Sequence, residues 1–116
     1  MALDTNISML LEFYRAMLTE KQRSIVEYYY NDDLSLGEIA KNEGITRQGV
    51  LDTVKRTREQ LLELEEKLGL KKKFEQVQQI ALAARNIMRI AEHSGGSRDI
   101  SQIAGFIADT AENLYD

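Results

Sequence analysis

The 116 residues suffice for one domain with a modest core, and the 43% that are hydrophobic exclude a disordered chain. The chain contains no Cys, which excludes disulfides and thiolate metal sites. The net charge of −4 argues against indiscriminate binding of nucleic acid, so any DNA-binding surface is expected to be local.

The sequence also predicts where the chain works and what secondary structure it forms. No stretch is apolar for long enough to span a membrane, and Asp4, Glu12 and Arg15 interrupt the N-terminal segment where a signal peptide would be apolar. We therefore expect a cytoplasmic protein without membrane contact. With no Pro, only seven Gly and no clusters of β-branched residues, the sequence predicts an all-α fold.

Two helices are predicted in the first third of the chain. Helical spacing of apolar residues, beginning at Leu3, predicts the first over about residues 4–18. Thr19-Glu20-Lys21-Gln22 is a capping-box pattern that begins a second over about 20–31, which the polar cluster at 31–33 ends. The tyrosines at 28–30 suit either core packing, with Tyr28 and Tyr29 as candidates, or a base-stacking platform. Adjacent helical residues point in different directions, which favours the core.

Two further helices follow, joined by a short turn. Ser35 and Glu38 form a second capping-box pattern that begins a helix over about 36–43, and Gly44 follows it as a turn residue. Thr46 caps a long helix over about 47–68, which Gly69 ends. The inward face of this long helix is expected to comprise Val50, Val54, Thr57, Leu61, Leu64 and Leu68.

The short helix, turn and long helix together predict a helix-turn-helix over residues 35–58. Such a motif needs a small residue where its helices cross, and Ala40 supplies it. Its turn needs a residue that tolerates positive φ, and Gly44 does so where a Cβ would cost about 1–2 kcal/mol. Ile45 anchors the turn, while Val50 and Val54 anchor the second helix.

The C-terminal part of the chain is predicted to form two more helices. The first covers about residues 71–92, and the linker-like stretch Ser94-Gly95-Gly96-Ser97 separates it from the second, over about 100–114. The last helix presents an apolar stripe that either closes the core or forms a two-fold interface, and we favour a homodimer. The apolar positions of this helix are Ile100, Ile103, Ile107, Ala111 and Leu114, and the candidates for dimerisation are Ile100, Ile103, Ile107 and Leu114. The predicted organisation is a helix-turn-helix domain over 1–69 and a helical extension over 70–116, used for packing or dimerisation.

The outer face of the predicted recognition helix carries residues suited to DNA. Arg47 and Gln48 are the candidates for reading guanine and adenine, and Leu51 for touching a thymine methyl group. The candidates for phosphate contacts are Thr46, Lys55, Arg56 and Arg58. Asp52 is suited to orienting an Arg or accepting from cytosine. The alternative is a solvated helix face whose cations pair with Glu59 and Glu63.

Several segments resemble the YlxM family of small DNA-binding proteins of Gram-positive bacteria and, more distantly, region 4 of bacterial sigma factors. They are LTEKQR at 18–23, DLSLGEIA at 33–40, TRQGV at 46–50, KRT at 55–57 and EKLGL at 66–70. The resemblance covers about residues 8–75 and implies a sigma-region-4-like helix-turn-helix bundle, which the C-terminal helices extend. It also implies a genomic association with the signal recognition particle genes. Position 49 departs from the family, since Gly stands where Ala is usual, and the tail after His93 matches nothing.

Two hypotheses of function follow. The first is a sequence-preferring DNA-binding regulator of transcription that works as a homodimer, with genes of the signal recognition particle pathway among its implied targets. The second is a protein or RNA adaptor of the signal recognition particle, which uses the helix-turn-helix as a docking surface. The cluster Lys71-Lys72-Lys73 suits phosphate or RNA contacts, although a soluble helix start is favoured.

Nothing in the sequence indicates an enzyme. The single His93 stands near a predicted helix end, where it suits a C-terminal cap, and has neither Cys nor a second His with which to hold a metal or activate a nucleophile. Gly95-Gly96 has no preceding strand and no following Lys, so it is not a phosphate-binding loop. We expect no cofactor, no metal and no small-molecule substrate.

Overall fold

The computed structural model describes residues 4–95 and 98–114. The helices in these ranges are α1 (Thr5–Tyr14), α2 (Glu20–Tyr30), α3 (Leu36–Glu43), α4 (Arg47–Leu68), α5 (Leu70–His93) and α6 (Arg98–Asn113), and Arg15–Met17 forms a 3₁₀ turn after α1. These ranges contain no strand, and the predicted all-α fold is confirmed. Leu3, assigned above to the first helix, and Gly96-Ser97 of the linker-like stretch lie outside the described residues.

Local hydrogen bonds fix the starts of α2 and α3 where the sequence predicts them. The Thr19 hydroxyl accepts from the Gln22 backbone N–H at 3.1 Å, and the Gln22 side chain accepts from the Thr19 N–H at 3.0 Å. Ser35 and Glu38 form the same reciprocal pair, both bonds measuring 3.1 Å. These bonds satisfy N–H groups that a helix start otherwise leaves without partners, and both predicted capping boxes are confirmed.

The chain divides into two compact units, Met1–Lys71 and Lys72–Asp116. In the first unit, α1 to α4 pack around one hydrophobic core. The fully buried side chains include Ile7, Leu10, Leu11, Tyr14, Ile25, Val26, Ile39, Val50, Thr57 and Leu61. Because α4 contributes to this core along half its length, its inner face is anchored on all three preceding helices.

Three local features differ from the prediction. The first α-helix ends at Tyr14, and a 3₁₀ turn carries the chain to Leu18. The most buried of the three consecutive tyrosines is Tyr30, at 9% exposure, whereas the predicted pair at 28 and 29 is half-buried. Leu68, predicted on the inward face of α4, is 40% exposed. The helical period predicts on which side of a helix a side chain lies, but it does not predict where the neighbouring helices end.

The second unit consists of the hairpin of α5 and α6 beyond Lys71. Its buried side chains are alanines, namely Ala81, Ala84, Ala91, Ala104, Ala108 and Ala111. Arg85 joins the two helices through bonds to Asp109 at 2.7 Å and Glu112 at 2.9 Å, and these bonds, to Glu112 above all, raise the pKa of the guanidinium. An alanine seam buries little apolar surface, so the larger side chains beside it are left exposed.

Candidate nucleic-acid interface

The helix-turn-helix is built by α3, a tight turn and the N-terminal half of α4. Gly44 ends α3 with φ of 68°, the left-handed conformation predicted for it, and its N–H donates to the Ala40 carbonyl. The Ile45 N–H donates to the same carbonyl at 3.1 Å, so the turn is bonded on both sides of the bend. Ala40 is buried and Val50 is fully buried, which places the small crossing residue and the anchor of α4 as predicted.

Thr46 sets the start of α4. Its hydroxyl accepts from the Gly49 N–H at 3.0 Å, while the Thr53 hydroxyl donates to the Gly49 carbonyl at 2.9 Å. A Cβ added at Gly49 would lie 3.2 Å from the Thr46 hydroxyl oxygen. The caps of α2 and α3 accept the same bond from Gln22 and Glu38, which both carry a Cβ, so nothing in the structure explains Gly at a position where Ala is expected from the resemblance.

The centre of the outer face of α4 is made by three exposed side chains, Gln48, Asp52 and Lys55. The Gln48 amide nitrogen donates to Asp52 Oδ1 at 3.0 Å, one helical turn away. This bond occupies one amide N–H of Gln48. The Gln48 carbonyl oxygen and the second Asp52 carboxylate oxygen have no partner in the part of the chain that the structure describes. Asp52, considered above as a partner for an Arg, is therefore the partner of Gln48.

Arg47 lies at the edge of this face, toward the start of α3. A Cβ added at Gly37 would come within 3.3 Å of Arg47 Nε and 3.4 Å of Nη2, so the guanidinium passes over the bare backbone of α3. On α3 itself, the bond from the Ser35 backbone, with that from its hydroxyl, holds the pKa of the Glu38 carboxyl below its ordinary value.

The other predicted contact residues are distributed around α4. Thr46 is exposed at its N-terminus and Leu51 is half-buried. Arg56 is exposed on the opposite edge, beside Thr19 and Lys21 at the start of α2. Arg58 points elsewhere: its guanidinium lies 3.7 Å from the Asp4 carboxylate. Burial raises the pKa of Tyr30, and the positive charge of Arg58 opposes that rise. The structure therefore groups Gln48 and Lys55, places Arg47 and Arg56 at the two edges, and directs Arg58 to the start of α1.

The cations of this face differ in whether they have partners. No hydrogen bond or ion pair joins the side chains of Arg47, Lys55 or Arg56 to any other residue in ranges 4–95 and 98–114. Of the acidic residues weighed as their partners, Glu63 pairs with Lys67 at 2.9 Å instead. Three cationic side chains therefore remain available to an anionic ligand.

A hydrogen-bond bridge that the sequence did not reveal fixes α2 against α4. The Gln22 amide nitrogen donates to Thr57 Oγ1 at 3.3 Å and to Gln60 Oε1 at 3.1 Å. Because the Gln22 oxygen already accepts from the Thr19 N–H, this one side chain both caps α2 and holds it to α4. The capping-box pattern identifies Gln22, but it gives no signal of the contact 35 and 38 residues away.

The predicted dimerisation residues lie in the second unit. Ile100, Ile103 and Ile107 of α6 are 49%, 62% and 41% exposed, and Leu114, just beyond the helix, is 63% exposed. The three isoleucines line an apolar groove of about 160 Å³ with Ala84, Ile87 and Ala104. Phe106, which the stripe did not include, is 72% exposed.

Residues 4–95 and 98–114 contain no group of three or more His, Cys, Asp or Glu residues arranged to hold a metal ion. No helix in them has the length and apolar character needed to cross a bilayer.

Comparison with known proteins places this architecture in a family. Residues 2–97 match the family described as "Putative helix-turn-helix protein, YlxM / p13 like". Relatives named UPF0122 protein occur in Bacillus cereus strain Q1, Bacillus anthracis strain A0248 and Bacillus thuringiensis subsp. konkukian. Each is 45% identical over 89 residues, which cover 77% of this chain and 81% of the relative. The chain belongs to the YlxM / p13-like family of helix-turn-helix proteins.

Proposed function

We propose that this protein is a DNA-binding regulator that inserts the N-terminal half of α4, residues 47–58, into the major groove. The observation that carries the proposal is a set of three cations, Arg47, Lys55 and Arg56, on the exposed side of a recognition helix that Thr46 caps. Their side chains have no partner within residues 4–95 and 98–114. DNA is a dense row of phosphates, and side chains of this kind release its counterions on binding. Acting on DNA places the protein in the cytoplasm.

Base contacts are assigned to the first turns of α4. Arg47 suits guanine, whose O6 and N7 accept two parallel bonds from a guanidinium, and Leu51 suits a thymine methyl group. Gln48 presents its carbonyl oxygen because its amide nitrogen is bonded to Asp52. This oxygen accepts from the amino group of adenine or cytosine. Phosphate contacts are assigned to Lys55 and Arg56 and to the Thr46 hydroxyl, and Arg58 contributes only when it leaves Asp4.

Dimerisation is part of the proposal, because one copy offers few cations. Two copies joined through α6 would double the contacts and raise the effective affinity without any new type of contact. The exposed isoleucines 100, 103 and 107 with Leu114 supply the interface. The alanine seam of the hairpin leaves these side chains exposed, and contiguous exposed apolar side chains are typical of protein–protein interfaces.

The proposal is tested by electrophoretic mobility shifts of genomic DNA fragments at low salt. The wild-type protein is expected to retard a subset of fragments, and Arg47→Ala and Lys55→Ala to weaken that retardation. Arg89→Gln is the matched control, because it removes one exposed positive charge from the second unit. Retention of no fragment by the wild type, or equal binding by all variants, would contradict the proposal.

The second candidate is an adaptor of the signal recognition particle, with the helix-turn-helix as a docking surface. Two acidic residues, Asp52 and Glu59, are exposed on the same face as Lys55. Together with the net charge of −4, they favour a protein partner over DNA. A pull-down with the particle's GTPase and its RNA distinguishes the candidates. Enrichment of the GTPase or of the RNA, with no DNA fragment retained, would favour the adaptor. If the protein instead regulates the genes of that pathway, it is expected to bind DNA at their promoters.

A further inference from the structure

A polar cleft lies between the start of α2 and the edge of α4, outside the base-reading turns. It measures about 450 Å³ and is lined by Thr19, Lys21, Gln22, Thr53, Arg56 and Gln60. None of these residues is acidic, and Lys21 and Arg56 give the lining two positive charges. The lining is therefore positively charged on a chain whose net charge is −4.

The hydrogen bonds already formed around the cleft determine which donor groups remain available to a ligand. Gln60 Oε1 accepts from Gln22, so the amide nitrogen of Gln60 is the part left available, and it is a donor. Thr53 spends its only hydroxyl proton on the Gly49 carbonyl. Neither Lys21 nor Arg56 has a side-chain partner in the part of the chain that the structure describes. The available groups are an ammonium, a guanidinium and an amide N–H, which together suit an anion with several acceptor oxygens.

The cleft is held in shape by the side chain beneath it. Gln22 bonds Thr19, Thr57 and Gln60 and thereby fixes the α2 backbone at Lys21 against α4. The two cations therefore come from helices whose spacing is set by buried and half-buried contacts. This preorganisation reduces the ordering needed when an anion binds.

The position of Arg56 along α4 indicates which anion fits. Gln48 and Arg56 are eight residues apart, about 12 Å along a helix axis, which is comparable to the width of about 12 Å of the major groove. When Gln48 faces the base edges, Arg56 therefore reaches the backbone that borders the groove. Arg47 lies on the other edge of the same helix, so the helix carries a cation at each flank.

We propose that the cleft of Lys21, Arg56 and Gln60 binds a phosphodiester group of the DNA duplex whose major groove receives α4. This inference rests on the proposed function and extends it, since it adds Lys21 and Gln60 to the interface and makes α2 a second element that touches DNA. Contacts to phosphate fix the register of a protein on the duplex and carry no sequence information directly.

The test is fluorescence anisotropy with a duplex that the wild-type protein retains, measured over a series of salt concentrations. Lys21→Gln and Arg56→Gln are each expected to lower affinity by about tenfold at low salt and to reduce the slope of log K against log salt by about 0.9. Arg56→Lys is expected to keep most of that slope. The base preference of every variant is expected to match that of the wild type.

Controls separate this inference from the function on which it rests. Arg89→Gln removes one positive charge from the second unit and is expected to leave the slope unchanged. If Lys21→Gln and Arg56→Gln both bind DNA with the salt slope of the wild type, the cleft does not bind a phosphodiester group, while the proposed function still holds. No DNA binding by the wild type would overturn the proposed function and the cleft together. An NMR titration with millimolar inorganic phosphate shows whether the free anion shifts the side-chain resonances of Lys21 and Arg56. If it does, and neither variant changes the salt slope of DNA binding, the cleft is a site for a free anion and the duplex is not its ligand.

Discussion

The Tyr14 hydroxyl donates a hydrogen bond of 2.6 Å to Glu65 Oε1, which joins the end of α1 to the last turns of α4 across 51 residues of sequence. The same hydroxyl accepts from the Leu70 N–H at 3.0 Å, and Glu65 Oε1 accepts from the Lys71 N–H at 3.0 Å. The two side chains therefore cap the start of α5, where the first N–H groups have no helical partner. Burial, and next the bond to Glu65, raises the pKa of Tyr14 above its ordinary value.

Replacing Tyr14 by Phe tests how much this cap stabilises the protein. The change keeps the buried ring and removes both hydroxyl bonds, so the Leu70 N–H loses its partner. We expect Tyr14→Phe to lower the free energy of unfolding by about 1–3 kcal/mol, as measured by urea denaturation. Tyr28→Phe, at a half-buried tyrosine whose hydroxyl bonds no residue within 4–95 and 98–114, is the matched control and is expected to be nearly neutral. Equal stability of the two variants would contradict a stabilising cap.

Gly37→Ala tests whether the bare backbone of α3 positions Arg47. The added Cβ lies 3.3 Å from Arg47 Nε, so the flexible guanidinium has to move while α3 is retained. We expect unchanged or slightly higher thermal stability, because Ala favours helix over Gly by up to about 1 kcal/mol. DNA affinity is expected to fall severalfold.

The specificity of this effect is checked with a double-mutant cycle. In an Arg47→Ala background, Gly37→Ala is expected to change DNA affinity no further, because the side chain it displaces is absent. Gly105→Ala in α6 is the matched control, since it makes the same helical substitution beside Met88 in the second unit. An equal loss of affinity in both backgrounds would show that Gly37 acts independently of Arg47.

Asp52→Asn tests the electrostatics of the base-reading face. Asn keeps an oxygen that can accept from Gln48 and removes a negative charge that would face the phosphates. We expect DNA affinity to rise by on the order of three- to fivefold at low salt, the effect of about 1 kcal/mol between exposed charges, and the gain to shrink as salt is added. Glu66→Gln, near the far end of α4, is the control for charge alone. If both variants gain equally, Asp52 has no particular place at the DNA surface.

Ile103→Glu and Ile107→Glu test the proposed dimer. Each places a charge on the exposed apolar stripe of α6, and we expect either variant to convert the dimer to monomer in sedimentation equilibrium. Gln102→Glu adds the same charge at an exposed neighbouring position and is expected to remain dimeric. A monomeric wild type, or dimeric isoleucine variants, would contradict the interface.

The sequence is informative wherever the physics is local. The reciprocal bonds of Thr19 with Gln22 and of Ser35 with Glu38 join residues three positions apart, so the residue types at these positions are enough to predict them. Gly44 and Gly69 end helices with φ of 68° and 62°, because a left-handed residue is needed there. The predicted bounds of α3 and α4 are confirmed to the residue.

Contacts between distant segments escape such reasoning. Nothing in the sequence pairs Tyr14 with Glu65 or Gln22 with Gln60, since each pair meets only once four helices have packed. The same limit applies to Arg58, which the helical period placed with the DNA-facing cations and which lies beside Asp4 in the structure. Lys21, on α2, becomes a candidate contact only through its closeness to Arg56 across the cleft.

Whether α4 reads DNA sequence can be measured by a pooled genomic DNA-binding selection with the purified protein. We expect the wild type to enrich fragments that share a short motif, Arg47→Ala to relax the preference at one position of that motif, and Arg89→Gln to leave the motif intact. Recovery of fragments with no shared motif at low salt, or an identical motif from Arg47→Ala, would contradict sequence reading by α4.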